Sequence, residues 1–141
     1  MEAGLKIIRK PYEEPYHINL IVTASNGHST AELEIYTNPD DLAENGKALQ
    51  DFPQSTTHSV LWELGSERPE DRFAFYFRIE FLVIGATGQS AVVVRFNNNK
   101  SIPDTEIAEF CIPAEPAQLN RLGEQLVRFS KLEDEELVWL A

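Results

Sequence analysis

Hydrophobic and polar residues alternate along much of this chain, and the alternation is broken twice by a helical period. From His17 to Ala24 the apolar positions Ile18, Leu20, Val22 and Ala24 fall on one face of an extended segment, which runs into Asn26-Gly27, a strong hairpin signal. In the strand that follows, Ala31, Leu33 and Ile35 point inward, and Glu32, Glu34 and Tyr36 point outward, because side chains alternate across a sheet. Asn38-Pro39-Asp40-Asp41 then predicts a helix start: an amide at the N-cap, a proline where a missing N–H does no harm, and acids in the positive first turn. Leu42, Gly46, Leu49 and Phe52 form one stripe at helical spacing, and Pro53 ends it. Strands follow at His58–Leu64 and Arg72–Ile84, the second expected to present Phe73, Phe75, Phe77, Ile79, Phe81 and Val83 on one face. After a turn at residues 85–88, a strand is predicted over Ser90–Phe96, with the polar run Asn97–Asp104 behind it.

The second half repeats the first. Residues 31–52, AELEIYTNPDDLAENGKALQDF, align without a gap on residues 108–129, AEFCIPAEPAQLNRLGEQLVRF, 77 positions later, with eight identities in 22 positions. Chance at ordinary composition gives roughly one or two. The same offset carries Trp62 to Trp139, the two tryptophans of the chain. A strand over Thr105–Ile112, a helix over Pro116–Phe129 and a strand over Glu136–Leu140 follow from it. The predicted fold is α+β: internally duplicated ββαβ units, at about 17–65 and 89–141 of a single domain spanning 1–141, joined by a long bridging strand, with two helices and mostly antiparallel sheet. One continuous sheet and two packed sheets are both compatible with that order. The paired glycines Gly46 and Gly123 predict close helix-to-sheet contact, since a mid-helix glycine costs about 1 kcal/mol against alanine.

Composition narrows the function classes. Twelve Lys and Arg against 23 Asp and Glu leave a net charge of −11, which opposes nucleic acid and anionic membranes and favours a basic partner. Three of the cations, Lys6, Arg9 and Lys10, lie in the first ten residues, which read as a basic arm. The single Cys111 forms no internal disulfide, no secretory signal pattern opens the chain, and the most apolar stretch, Phe73–Val94, is broken by charges and a turn, so a cytoplasmic, non-membrane protein is expected.

Catalytic and cofactor signatures are wanting, and no cofactor or metal is expected. His17, His28 and His58 are scattered without metal-ligand spacing. Cys111 has the acids Glu109 and Glu115 for neighbours and neither a base nor an electropositive setting beside it in the sequence, which is a poor setting for a nucleophile. The segment Gly85–Ser90 leads into a strand, whereas phosphate loops and serine elbows lead into helices. Acidic residues gather in Glu67, Glu70 and Asp71, joined by Glu63, and again in Glu133, Asp134, Glu135 and Glu136. Both runs flank the tryptophan strands, and they are the candidate partner-binding residues.

The acidic balance, the modest size and the two LxxxGxxLxxF helices resemble, in overall style, the small bacterial α+β immunity proteins of toxin systems. The resemblance implies a non-enzymatic protein-binding module that neutralises a basic toxin. The alternative from the fold pattern is a structural, self-assembling subunit, since exposed sheet edges can recruit a second copy into a homodimer.

Overall fold

In a computed structural model, which describes residues 1–11 and 15–141, eight strands and two helices follow one another in the order β1 (Gly4–Lys10), β2 (Ile18–Ser25), β3 (Thr30–Thr37), α1 (Pro39–Gln50), β4 (Ser59–Gly65), β5 (Tyr76–Ile84), β6 (Gln89–Asn97), β7 (Ile107–Ala114), α2 (Pro116–Phe129) and β8 (Glu136–Leu140), with a short 3-10 turn at Pro69–Asp71. The strands form two antiparallel four-stranded sheets, β3-β2-β1-β8 and β4-β5-β6-β7, so the fold is α+β. No helix among the described residues is long and apolar enough to cross a membrane.

Local chemistry explains the element boundaries. Asn38 caps α1 by accepting the Asp41 N–H at 2.9 Å, and Pro39 occupies the first helical position. The α2 start uses a different device, Gln118 Oε1 accepting the Glu115 N–H at 2.8 Å, which is half of a capping box. At the β2–β3 turn, Asn26 Oδ1 accepts the N–H groups of His28 and Ser29, and Gly27 takes a φ of 91°.

Each helix moves the chain from one sheet to the other. The β2–β3 hairpin lies in the first sheet, and α1 delivers β4 to the edge of the second. The β6–β7 hairpin lies in the second sheet, and α2 delivers β8 to the edge of the first. The element order ββαβ is therefore present twice, but the last strand of each set belongs to the other set's sheet.

Three expectations need correction. Residues 4–10 are not a solvent-exposed arm: β1 lies between β2 and β8 and buries Leu5 and Ile7 fully. The basic residues masked a short strand in which apolar and polar positions alternate only partly. Phe73 does not belong to the core strand, which begins at Tyr76. It lies before β5 and is 52% exposed, whereas Phe75, Phe77, Ile79 and Phe81 are buried. Finally, Gly46 and Gly123 meet each other and not a sheet. A Cβ at Gly46 would lie 2.8 Å from the Gly123 carbonyl oxygen, and one at Gly123 would lie 2.5 Å from that of Gly46. The two glycines let α1 and α2 approach backbone to backbone.

The core is continuous across both sheets and both helices. Trp62 packs edge-on to Phe77 at 4.8 Å, and Phe77 stacks on Phe96 at 5.3 Å. Both tryptophans are buried, and both indole N–H groups are satisfied by the third residue of the helix before them: Trp62 donates to Asp41 Oδ2 at 2.8 Å and Trp139 to the Gln118 carbonyl at 2.8 Å. Asp41 and Gln118 are themselves 77 positions apart. At the C-terminus of α1, the Asn120 side-chain amide donates to the carbonyls of Leu49 and Phe52, both at 2.8 Å, so α2 caps its neighbour.

Candidate functional site

The acidic residues of the β4–β5 connection are tied into the fold. Arg95, on β6, grips Glu67 with two hydrogen bonds, Nε to Oε1 at 2.9 Å and Nη2 to Oε2 at 2.8 Å, and reaches Glu109 of β7 at 3.2 Å. Asn97 adds a third bond to Glu67 at 2.6 Å. The Arg95 hydrogen bonds hold the Glu67 carboxyl below the usual carboxylate range against an opposing effect of burial, and Glu67 in turn raises the Arg95 guanidinium. Asp71 accepts from Ser66 Oγ at 2.6 Å and pairs with Arg68, whose Nε also lies 3.3 Å from Glu70. Next to them, Tyr76 donates to Glu63 at 2.5 Å, and burial, followed by this bond to a carboxylate, pushes the phenol up to about 12.

The run of three asparagines at 97–99 organises this corner. Asn97 Oδ1 accepts the Asn99 N–H at 2.8 Å, and Asn99, with a φ of 54°, donates its side-chain amide to the carbonyls of Ser66 and Phe73. Asn98 Oδ1 meanwhile accepts from Lys100 and Glu106. Asparagine tolerates the left-handed region and bonds nearby backbone, which is the signal in the sequence for an ordered turn.

The second acidic run is tied from the other sheet edge. Glu136 pairs with Lys6 of β1 at 3.3 Å, Asp134 pairs with Arg128 of α2 at 3.1 Å, and Arg9 donates from its side chain to the Asp134 carbonyl and from its backbone to Glu135. The two runs are not brought together. Glu67 and Asp71 line grooves with Arg68 and Phe73, while Asp134 and Glu136 line another with Gln125 and Arg128. Exposed pairs of this kind contribute only ~0–1 kcal/mol each, but they neutralise much of the local charge that would otherwise face a partner.

The three histidines stay apart: His17 and His28 are exposed, and His58 accepts the Gln54 N–H at 3.0 Å while its ring packs on Phe52. No three His, Cys, Asp or Glu side chains among the described residues are arranged to hold a metal ion. Cys111 is exposed on β7.

Strand β3 presents a different surface, one that no run of charge marks in the sequence because its acids alternate with apolar residues. Glu32 and Glu34 are exposed on its outward face, with Leu33 and Ile35 buried between and after them. Glu34 accepts hydrogen bonds from Asn19 and Tyr36, both uncharged, and among the described residues no cation is paired with Glu32 or Glu34. Beside the strand lies a groove of about 450 Å³, with Ala31, Leu33, Phe96, Ile107 and Ala108 as its apolar lining and Glu32 and Glu106 as its charges.

Compared with known families and with curated proteins, the chain matches no family model and no curated sequence at a significant level.

Proposed function

We propose that this protein is a small acidic protein-binding module whose partner is a basic protein, with a toxin-neutralising immunity role as the specific form of that reading. One observation carries it: in a chain of net charge −11, Glu32 and Glu34 stand outward on β3 with no cationic partner among the described residues. Complementary potential acts chiefly on encounter rate and specificity, so uncompensated carboxylates are the ones that steer. Residues 67–71 and 133–136 add to the long-range field, while their short-range charge is partly spent on Arg95, Arg68, Lys6 and Arg128.

The test is capture of a partner on the immobilised protein, followed by association kinetics of the purified pair across ionic strength. A basic partner whose on-rate falls as salt rises is expected, since the Debye length shortens from about 30 Å at 0.01 M to about 8 Å at 0.15 M. Neutralising Glu67, Glu70 and Asp71 together should slow association less than neutralising Glu32 and Glu34. An acidic partner, or an on-rate indifferent to salt, would defeat the proposal. A salt-insensitive homodimer would favour the self-assembling subunit instead.

A further inference from the structure

Four strands form the outer edges of the two sheets, and three of them are blunted. The carbonyls of Val138 and Leu140 in β8 accept hydrogen bonds from Gln125 and Arg121 of α2, which covers that edge. Strand β4 packs against α1. In β7, Pro113 removes a backbone donor, a device common on edge strands. Strand β3 has none of these. From Thr30 to Ile35 its backbone pairs with β2 alone among the described residues, and it contains no proline.

We propose that the free edge of β3 pairs with an extended basic segment of the partner protein, which adds a fifth strand to the sheet β3-β2-β1-β8. An unpaired edge recruits by main-chain hydrogen bonds, and alternate side chains set the specificity. On the outward face the incoming strand meets Glu32 and Glu34, two residues apart, so it carries lysine or arginine at alternate positions. The groove along this edge offers apolar contact at Ala31, Leu33, Phe96 and Ile107 beside polar contact at Thr30, Thr105 and Glu106, so the intervening residues are small apolar ones such as valine. Among the described residues no lysine or arginine lines that groove, which sets it apart from the groove at the β4–β5 connection, where Arg68, Arg72 and Lys100 stand. The same geometry disfavours a second copy of this chain. In a two-fold antiparallel pairing centred on Leu33, Glu32 of each copy lies opposite Glu34 of the other, and like charges directly opposite destabilise a sheet. This inference rests on the reading of the partner as a basic protein.

The probe is a short blocked peptide alternating lysine and valine, titrated into the full chain and followed by calorimetry and by amide hydrogen exchange. Saturable binding is expected, with new protection of backbone amides within residues 30–35. Two further peptides, N-methylated on the lysines or on the valines, separate strand addition from charge alone, since only one set of amides faces β3: one of the two should lose binding. The double variant Glu32→Lys/Glu34→Lys, which gives up the Asn19 and Tyr36 bonds to Glu34, should stay folded with a lowered melting temperature, weaken the lysine peptide by about tenfold or more, and bind a glutamate–valine peptide instead, while Glu32→Lys alone, which breaks no side-chain bond among the described residues, should weaken the lysine peptide at the parent's stability. Lack of binding at about millimolar peptide (a ceiling of ~4 kcal/mol), protection elsewhere, or equal binding of both methylated peptides would overturn the inference. So would a dimer in sedimentation that the charge reversal dissociates or strengthens, which would make a second copy the occupant. If a basic partner is captured but protects another surface, only the β3 assignment fails. If the peptide docks on β3 while the captured partner is acidic, the functional proposal fails and the edge remains a strand acceptor.

Discussion

Replacing Gly123 by alanine tests the principal contact between the two halves of the chain. The added carbon would sit 2.5 Å from the Gly46 carbonyl oxygen, 2.9 Å from the Gln50 nitrogen and 2.9 Å from Leu49 Cβ. Favourable heavy-atom separations are about 3.5–4.0 Å, so the helices must part by about 1 Å along that line. Two of the three neighbours are backbone atoms, which no rotamer change can move. Separation of that size forfeits roughly a quarter to a half of the dispersion attraction across the interface, and overpacking of this kind costs about 1–3 kcal/mol. Alanine returns about 1 kcal/mol of helix propensity, which leaves a net loss of up to about 2 kcal/mol. Gly46→Ala should behave similarly, because its Cβ meets the Gly123 oxygen at 2.8 Å and Val127 Cγ2 at 2.8 Å, the latter a side chain with some freedom to yield. Urea denaturation would show a lower midpoint at unchanged slope, with the melting temperature falling by about 2–4 °C per kcal/mol. The double variant should cost less than the two singles together, since helices already pushed apart accept the second carbon more easily. If both single variants matched or exceeded the parent in stability, the backbone-to-backbone account of the helix pair would be refuted.

Two further outcomes follow from hydrogen bonds. Asn120→Ala leaves the carbonyls of Leu49 and Phe52 without their cap, and should destabilise by about 1–2 kcal/mol, with faster amide exchange in the last turn of α1 than in the first as the distinguishing readout. Tyr76, raised from 10.0 to about 12, favours the protonated folded form: its contribution is fully present below pH 10 and is lost as pH rises through about 12. A near-ultraviolet titration should show one tyrosine ionising late, and that late step should vanish in Tyr76→Phe and move toward 10 in Glu63→Gln.

Much of the fold was legible in local sequence because its determinants are local. The Asn38 cap with Pro39, the Asn26-Gly27 turn and the alternation in β2, β4 and β6 each act within a few residues, so those elements lie within one or two positions of where the pattern puts them. The 77-residue offset also aligned α2, β8 and Trp139 on earlier elements without any reference to three dimensions. Tertiary structure decided the rest. Strand β1 is central because the edges of β2 and β8 both need a partner, a demand that residues 4–10 do not reveal on their own. A glycine at helical spacing announces a close approach but cannot say to what, and here the neighbour is the other glycine's backbone. Charge runs in the sequence marked acids at 67–71 and 133–136, whereas distant cations, Arg95 for Glu67 and Lys6 for Glu136, decide which carboxylates remain uncompensated. Ion pairing depends on distances of a few ångströms between residues far apart in the chain. Sequence therefore determined the amount of charge, and the fold determined which carboxylates meet a distant cation, as Glu67 and Glu136 do and Glu32 and Glu34 on β3 do not among the described residues.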